Sequence, residues 1–343
     1  MHPLFLPRLV NGPFEDPALF IPFQFERRAL IFDLGDISRL APRDLLKISH
    51  AFVTHAHMDH FIGFDHLLRC LLGREADLSL YGPAGFIANV EGKLAGYSWD
   101  LVDRLSCGLR LHLHEVHPDR LLRRSYVGGE GFAAESDAAD LPFAGPLHAE
   151  PAFEVSAAVL QHSIPCLGLA LKERFHVSIL TSGLEALGLR PGPWLTRFKN
   201  ALYAGADPGS DFDLETGAPD SGGRFTLGEL RQKIARITAG QKIAYITDVG
   251  DTPGNREAIA ALAQGADVLF IEAAFLHSER ERAAATHHLT ARQAGEVAAH
   301  ARARQFTLFH FSPRYEGRDA ELVREAREAY ERTSARRGEQ QRE

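Results

Sequence analysis

Thr54-His55-Ala56-His57-Met58-Asp59-His60 is the stretch that decides how this chain folds. The run leading into it, Ala51-Phe52-Val53-Thr54, is apolar and β-branched, as a buried strand end requires. After it come Phe61-Ile62-Gly63-Phe64 and the helix-like Asp65 to Leu72, with Gly73 placed as a C-cap. Three imidazoles and one carboxylate therefore share a turn between a strand and a helix. Neutral imidazole and carboxylate are the usual nitrogen and oxygen ligands of zinc. On a tight turn His55 and His57, two apart, converge on one ion, while Asp59 and His60 point toward a second. Paired metals about 3.5–4 Å apart clamp both sides of a displacement. The plainer reading, a histidine-rich exposed turn, leaves the apolar flanks unexplained.

The stretch resembles the His-x-His-x-Asp-His signature of the metallo-β-lactamase superfamily, so the rest of the chain is read for the remaining ligands. Its 343 residues, 45 % apolar and 24 % charged, are those of an ordinary soluble globular protein. No apolar run approaches the roughly 18–20 residues of a membrane span. The start, Met1 to Arg8, lacks the basic and long apolar segments of a signal peptide. Cys70, Cys107 and Cys166 form no CxxC pair, which fits reduced thiols and a cytoplasmic location. A net charge of −7 argues against a general nucleic-acid-binding surface.

Five prolines in residues 1–28 predict short strands and turns. Arg28 to Phe32 reads as a strand ended by Asp33-Leu34-Gly35-Asp36. Leu78 to Tyr81 reads as another, followed by the turn Gly82-Pro83-Ala84-Gly85. Leu109 to His117 alternates and places His112 and His114 on one face, most simply the wet side of a strand. Residues 119–150 and 190–224 read as insertions, the second as an exposed, mobile loop. It holds Asp207, Asp211, Asp213, Glu215 and Asp220, with no Lys or Arg between Lys199 and Arg224.

His162 ends the strand Val155 to Gln161, where a third imidazole for one metal would stand. Asp248 ends the strand Lys242 to Thr247 and could bridge two cations through its two oxygens; Asp251 competes for that role but stands further from the strand end. His288 precedes a helix whose Thr290 and Gln293 form a capping-box pattern, a place where anions are welcome. His300, inside that helix, reads as structural or solvated. His310 ends the last strand, Gln305 to Phe309. A final amphipathic helix spans about Arg318 to Ser334, with a polar tail at 335–343. No repeat or linker divides the chain, so residues 1–334 read as one domain.

Taken together these pieces resemble RNase Z, the tRNA 3′-end processing branch of the superfamily. The matching residues are Phe32 to Gly35, Thr54 to His60, Tyr81-Gly82-Pro83, His162 to Gly168, Pro191-Gly192-Pro193, Tyr245 to Asp248, Glu272-Ala273-Ala274-Phe275, His288-Leu289-Thr290 and His310 to Tyr315. The resemblance implies an α/β fold, a four-layer αβ/βα sandwich with the metals at the edge between two sheets. It implies that His55, His57 and His162 bind one zinc, that Asp59, His60 and His310 bind the second, and that Asp248 bridges them; manganese and iron remain alternatives. Asp59 would also take a proton from the attacking water, and His288 would face the scissile phosphate, with Glu272 able to orient it. Asp33 would brace the turn without touching metal. A homodimer is a further implication.

Three departures bear on substrate. Phe5-Leu6-Pro7-Arg8 stands where the family has Phe-Leu-Gly-Thr, and Thr247 stands where it has a glycine. The stretch matching the family's basic tRNA-gripping arm is acidic. Three functions compete: a phosphodiesterase that processes tRNA 3′ ends, a hydrolase of small molecules such as cyclic nucleotides, phosphonates or lactones on the same site, and a catalytically dead binding module.

Overall fold

The computed structural model describes residues 3–100, 108–214 and 224–340; Cys107, Glu215 and Asp220 lie outside the described residues. Two compact units are distinguished. The larger comprises Phe5–Gly145, Ser156–Ala170 and Ile243–Glu343, and the smaller Met1–Leu4, Pro146–Val155 and Leu171–Lys242.

The larger unit opens with a nine-stranded sheet. Its strands are β1 (Arg8–Leu9), β2 (Leu19–Pro22), β3 (Ala29–Phe32), β4 (Ile48–Phe52), β5 (Asp77–Pro83), β6 (Arg110–Val116), β7 (Arg120–Val127), β8 (Ala133–Ala134) and β9 (Ala139–Pro142). The pairs from β3 to β6 are parallel, and β7 to β9 fold back antiparallel at one edge. Residues 119–150 thus begin as a hairpin continuing the sheet. Helices α1 (Pro42–Leu45), α2 (Met58–Phe61), α3 (Phe64–Leu71) and α4 (Phe86–Ala95) make the crossovers. The strands alternate, apart from one extra residue where β4 pairs with β3: Ile31, Ala51, Leu80 and Leu113 pack with the helices, while their neighbours face the other way. His112 and His114 do share a face, half-exposed at His112 but closed at His114. His114 is buried, with its ring stacked 4.2 Å from that of Tyr81, because the β7 hairpin extends the sheet past it. His112 is bonded to Ser125 and Asp77.

Strands β10 (His148–Ala149), β11 (Phe153–Gln161) and β12 (Pro165–Glu173) start a second sheet. The chain then builds most of the smaller unit: β13 (Phe175–Ile179), α5 (Thr181–Ala186), α6 (Trp194–Tyr203), β14 (Asp211–Phe212), β15 (Phe225–Thr226), α7 (Leu227–Ile234) and β16 (Ala235–Ala239). Among the described residues of the stretch expected as a mobile loop, Trp194–Tyr203 form a helix and Asp211–Phe212 a strand. Trp194 and Phe198, one helical turn apart, pack against Leu214, Leu227, Leu230 and Ile234 into a small core of their own. Gly188, φ 65°, follows the end of α5 and Pro193 caps α6, and the turn signal of Pro191-Gly192-Pro193 masked the apolar period that follows.

The chain returns through β17 (Lys242–Ile246), α8 (Pro253–Leu262), β18 (Val268–Glu272), α9 (Arg280–Ala285), α10 (Ala291–His300), β19 (Gln305–Phe309) and α11 (Asp319–Gln340), so the last helix continues past Ser334. The second sheet runs β10–β11–β12–β17–β18–β19, with β17, β18 and β19 parallel. Ala244, Ile246, Leu269 and Ile271 face α8, α10 and α11. Phe32 and Phe52 of the first sheet and Tyr245 and Phe309 of the second are fully buried and meet as rings 5.0–6.0 Å apart. Helices, sheet, sheet and helices make the four-layer sandwich.

Two glycines set how closely the chain approaches itself beneath the histidine turn. A Cβ on Gly63 would stand 2.2 Å from the Gly35 carbonyl, and one on Gly35 would stand 2.6 Å from those of Asp59 and Pro17.

Candidate metal centre

The residues that the sequence singled out meet at one edge of the sandwich. Asp33 leaves β3 with φ 59° and sends its carboxylate, wholly buried, under the turn. Its Oδ1 accepts the Thr54 backbone N–H at 2.7 Å and the Thr54 hydroxyl at 2.9 Å. Its Oδ2 accepts His60 Nδ1–H at 2.9 Å and the Tyr245 hydroxyl at 3.0 Å. The turn is thereby fixed, and His60 Nε2 is aimed inward. His55 and His57 lie on the extended approach, and α2 swings Asp59 and His60 to the far side.

Two groups result, each with its ligand-type atoms within 4.8 Å of one another: His55, His57, His162 and Asp248 form one, and Asp59, His60 and His310 the other. Asp248 Oδ2 lies 3.6 Å from His55 Nε2 and 3.8 Å from His162 Nε2, while its Oδ1 lies 3.5 Å from His60 Nε2 and 3.2 Å from His310 Nδ1. One carboxylate thus turns an oxygen to each group. Asp251 is held elsewhere by Arg256, at 2.5 and 3.0 Å, and by Gln293.

The side chains suit divalent cations. His60 Nε2 and His310 Nδ1 are buried without a hydrogen-bond partner, an arrangement that costs stability unless something accepts their lone pairs. Burial opposes charge on His60 and His310, yet Asp248 holds both imidazoles above their usual range. Burial also opposes charge on Asp59 and Asp248, yet the same imidazoles hold both carboxyls below theirs. The site is built around positive charge. His55 differs: burial, then the charge on His60, push it down to about 2, so it presents a lone pair.

His288 stands beside both groups. Its Nδ1–H donates to Glu272 Oε2 at 2.9 Å, and Glu272 Oε1 accepts the Val249 N–H at 2.8 Å. Glu272 falls within reach of a further group with Asp248, His288 and His310, but both its oxygens are occupied. Burial would lower the His288 imidazole; Glu272 outweighs it and lifts the ring to about 9. His162 Nδ1–H donates to the His287 carbonyl at 3.0 Å, which turns Nε2 inward. His300 is away from the site, bonded to the Glu296 carbonyl.

The sequence did not reveal three supporting residues. Tyr245 looks like any strand aromatic. The fully buried Cys166 lies with its Sγ 3.9 Å from His55 Nδ1. Asn255 looks like an ordinary helix-start residue, yet it accepts from the Gln161 N–H and donates to the Gln161 and Gly250 carbonyls. It thus ties the strand end before His162 to the loop after Asp248.

Residues 230–311 match the model of the beta-lactamase superfamily domain. Over 324 residues the chain is 32 % identical to a protein named ribonuclease Z from Deinococcus radiodurans, covering 93 % of each. The chain belongs to the ribonuclease Z family. It is a metal-dependent hydrolase with the metallo-β-lactamase fold. A ribonuclease Z from Anoxybacillus flavithermus is 32 % identical over 308 residues, 87 % of this chain and 81 % of that one. Among solved structures, human tRNase Z, short form, superposes with a TM-score of 0.52 at 17 % identity, covering 90 % of this chain and 93 % of its own. The metallo-beta-lactamase fold protein YhfI from Bacillus subtilis gives 0.54 at 14 %, covering 95 % and 92 %. Both likenesses show the fold. Among the described residues, no helix is long and apolar enough to cross a membrane.

Proposed function

We propose that this hydrolase cleaves phosphodiester bonds in RNA, with the 3′ trailer of precursor tRNA as the first substrate to test. The observation that carries the reading is Asp248, one oxygen toward each ligand group, with His288 beside both. His55, His57 and His162 would hold one divalent ion, Asp59, His60 and His310 the other, and Asp248 would join them. The nitrogen-rich donor set suits zinc, with manganese or iron as alternatives. When bound, such ions lower the pKa of a water to about 7 and neutralise phosphodiester charge. Asp59, at the edge of the second group, is placed to accept a proton from the attacking water. His288, held by Glu272 through Nδ1, keeps Nε2 free to steady the phosphate or to protonate the leaving oxygen. A cytoplasmic homodimer completes the reading.

A second reading, turnover of small phosphodiesters, is favoured by one observation. The inserted stretch has acids at Asp207, Asp211 and Asp213 and no Lys or Arg between Lys199 and Arg224. Metal-replete protein should be assayed on precursor tRNA beside bis(4-nitrophenyl) phosphate. Cleavage at the 3′ trailer supports the first reading, and turnover of the small ester alone supports the second. Hydrolysis of neither overturns both.

A further inference from the structure

A cleft of about 360 Å³ opens beside the two ligand groups, and Phe14, Asp16, Phe275, His288, Phe311 and Pro313 are among its walls. Phe14 comes from the turn between β1 and β2 and meets Phe311 edge-on, with ring centroids 5.4 Å apart. The volume is at the small end of ligand pockets, roughly 300–1,000 Å³. It suits one ring system with its sugar, held by apolar faces that stack on any base.

The charge in the cleft runs against a second anion. Among the described residues lining it there is no Lys or Arg, and there are three carboxylates, Glu15, Asp16 and Asp59. Glu15 is neutralised by Arg39 at 2.5 and 2.6 Å. Arg314, over the Phe275 ring, is bound by Glu279 at 2.5 Å. Asp16 pairs with no cation among the described residues, and its Cβ would lie 2.7 Å from a Cβ on Gly35, close under Asp59. The scissile phosphate would meet His288 and the ions, whereas a phosphate further into the cleft would meet the Asp16 carboxylate, which accepts the Asp36 backbone N–H and pairs with no Lys or Arg among the described residues.

We propose that this cleft takes one uncharged nucleoside, or an aryl group in its place, carried by the scissile phosphate, and rejects a substrate bearing another phosphate beyond it. The proposal rests on the phosphodiesterase reading above. Phe14 and Phe311 select an aromatic group, and Asp16 selects against further charge. An RNA strand must therefore end in the cleft or turn out of it after one nucleoside.

The test uses metal-replete protein, the dinucleoside monophosphate uridylyl-uridine, and the same compound carrying a terminal 5′- or 3′-phosphate. One of the two phosphorylated forms is expected to lose at least about tenfold in kcat/KM at low ionic strength, which identifies the side that enters the cleft. Asp16→Lys should bring that form back to within about threefold of its parent, and Asp16→Asn should do so in part, with metal content unchanged. Phe14→Ala should raise KM for the unphosphorylated diester more than it lowers kcat. If both phosphorylated forms match the parent, or if neither Asp16 variant moves the ratio, the cleft assignment is overturned while the phosphodiesterase reading stands. If protein holding its ions hydrolyses none of the three, both are overturned.

Discussion

Asp33 carries more of this site than any residue that would touch an ion. It sits in the left-handed region, φ 59°, which most L residues enter at a cost of about 1–2 kcal/mol and which Asn and Asp tolerate better than most. Asp33→Ala would leave the Thr54 N–H, His60 Nδ1–H and the Tyr245 hydroxyl unpaired in a dry interior, while the Thr54 hydroxyl would keep His55 as a partner. Removing one partner of a buried charged set costs about 3–5 kcal/mol. Denaturant unfolding of the variant is expected to show that loss, and a change below about 1 kcal/mol would contradict the bracing role. The chemical residues should separate by readout. Asp59→Ala is expected to abolish hydrolysis and to lose metal. His288→Ala should lower the rate by about 10²–10⁴-fold, the usual worth of a positioned acid–base group, with metal content near that of the parent. Elemental analysis beside the assay decides: loss of metal in step with activity would make His288 a ligand.

At the scale of elements, the site depends on loops fastened to strand ends. Thr252 caps α8 by accepting the Asn255 N–H, so the Asn255 amide is free to reach across to β11. With three bonds to Gln161 and Gly250 it fixes the spacing between the loops that carry His162 and Asp248. Supporting residues of this kind typically matter 10–100-fold in metal affinity. Asn255→Ala is expected to weaken binding of the ion between His55, His57 and His162 by about that factor. Competition with a chromogenic chelator measures it, and unchanged affinity would reduce Asn255 to a loop staple. Thr290, by contrast, caps α10 through a full capping box with Gln293 and holds the loop bearing His288. Its replacement by Ala should cost about 1 kcal/mol of stability.

For the whole molecule, two consequences follow from charge. Removing the ions leaves His60 Nε2 and His310 Nδ1 buried and unpaired, so a chelator should lower the melting temperature, and added metal should restore it in a concentration-dependent way. Calorimetry with and without chelator tests this, and an unchanged transition would argue against a resident ion. The net charge of −7 and the acidic stretch in the smaller unit predict weak tRNA binding with a shallow salt dependence, fewer than about three phosphates neutralised. A filter-binding titration showing submicromolar affinity at physiological salt and a steep slope would mean that basic residues elsewhere form a grip. Much of the fold was legible because its signals are local. Short apolar runs around Ile31 and Ala51, glycine after α3, and Thr290 with Gln293 report strand, cap and helix start from a few neighbours each. The candidate ligands were legible because few side chains bind metal, and these either cluster on the turn from His55 to His60 or stand at strand ends, as His162, Asp248 and His310 do. The strand end favoured Asp248 over Asp251 locally, but what holds Asp251 away, Arg256 and Gln293, was not local. The order of residues 194–203 was hidden by the glycines and prolines before it. The cleft was invisible, because Phe14 meets Phe311 and Asp59 meets His310 only after the sheets stack; the last pair is separated by 251 positions. Sequence by itself determined which atoms could bind metal and which of the plainly apolar or capped segments are strands or helices, since both follow from side-chain chemistry and short-range period. Only the tertiary structure decided which of those atoms converge, which carboxylates are occupied elsewhere, and what space lies beside them, because these depend on contacts that chain neighbours do not encode.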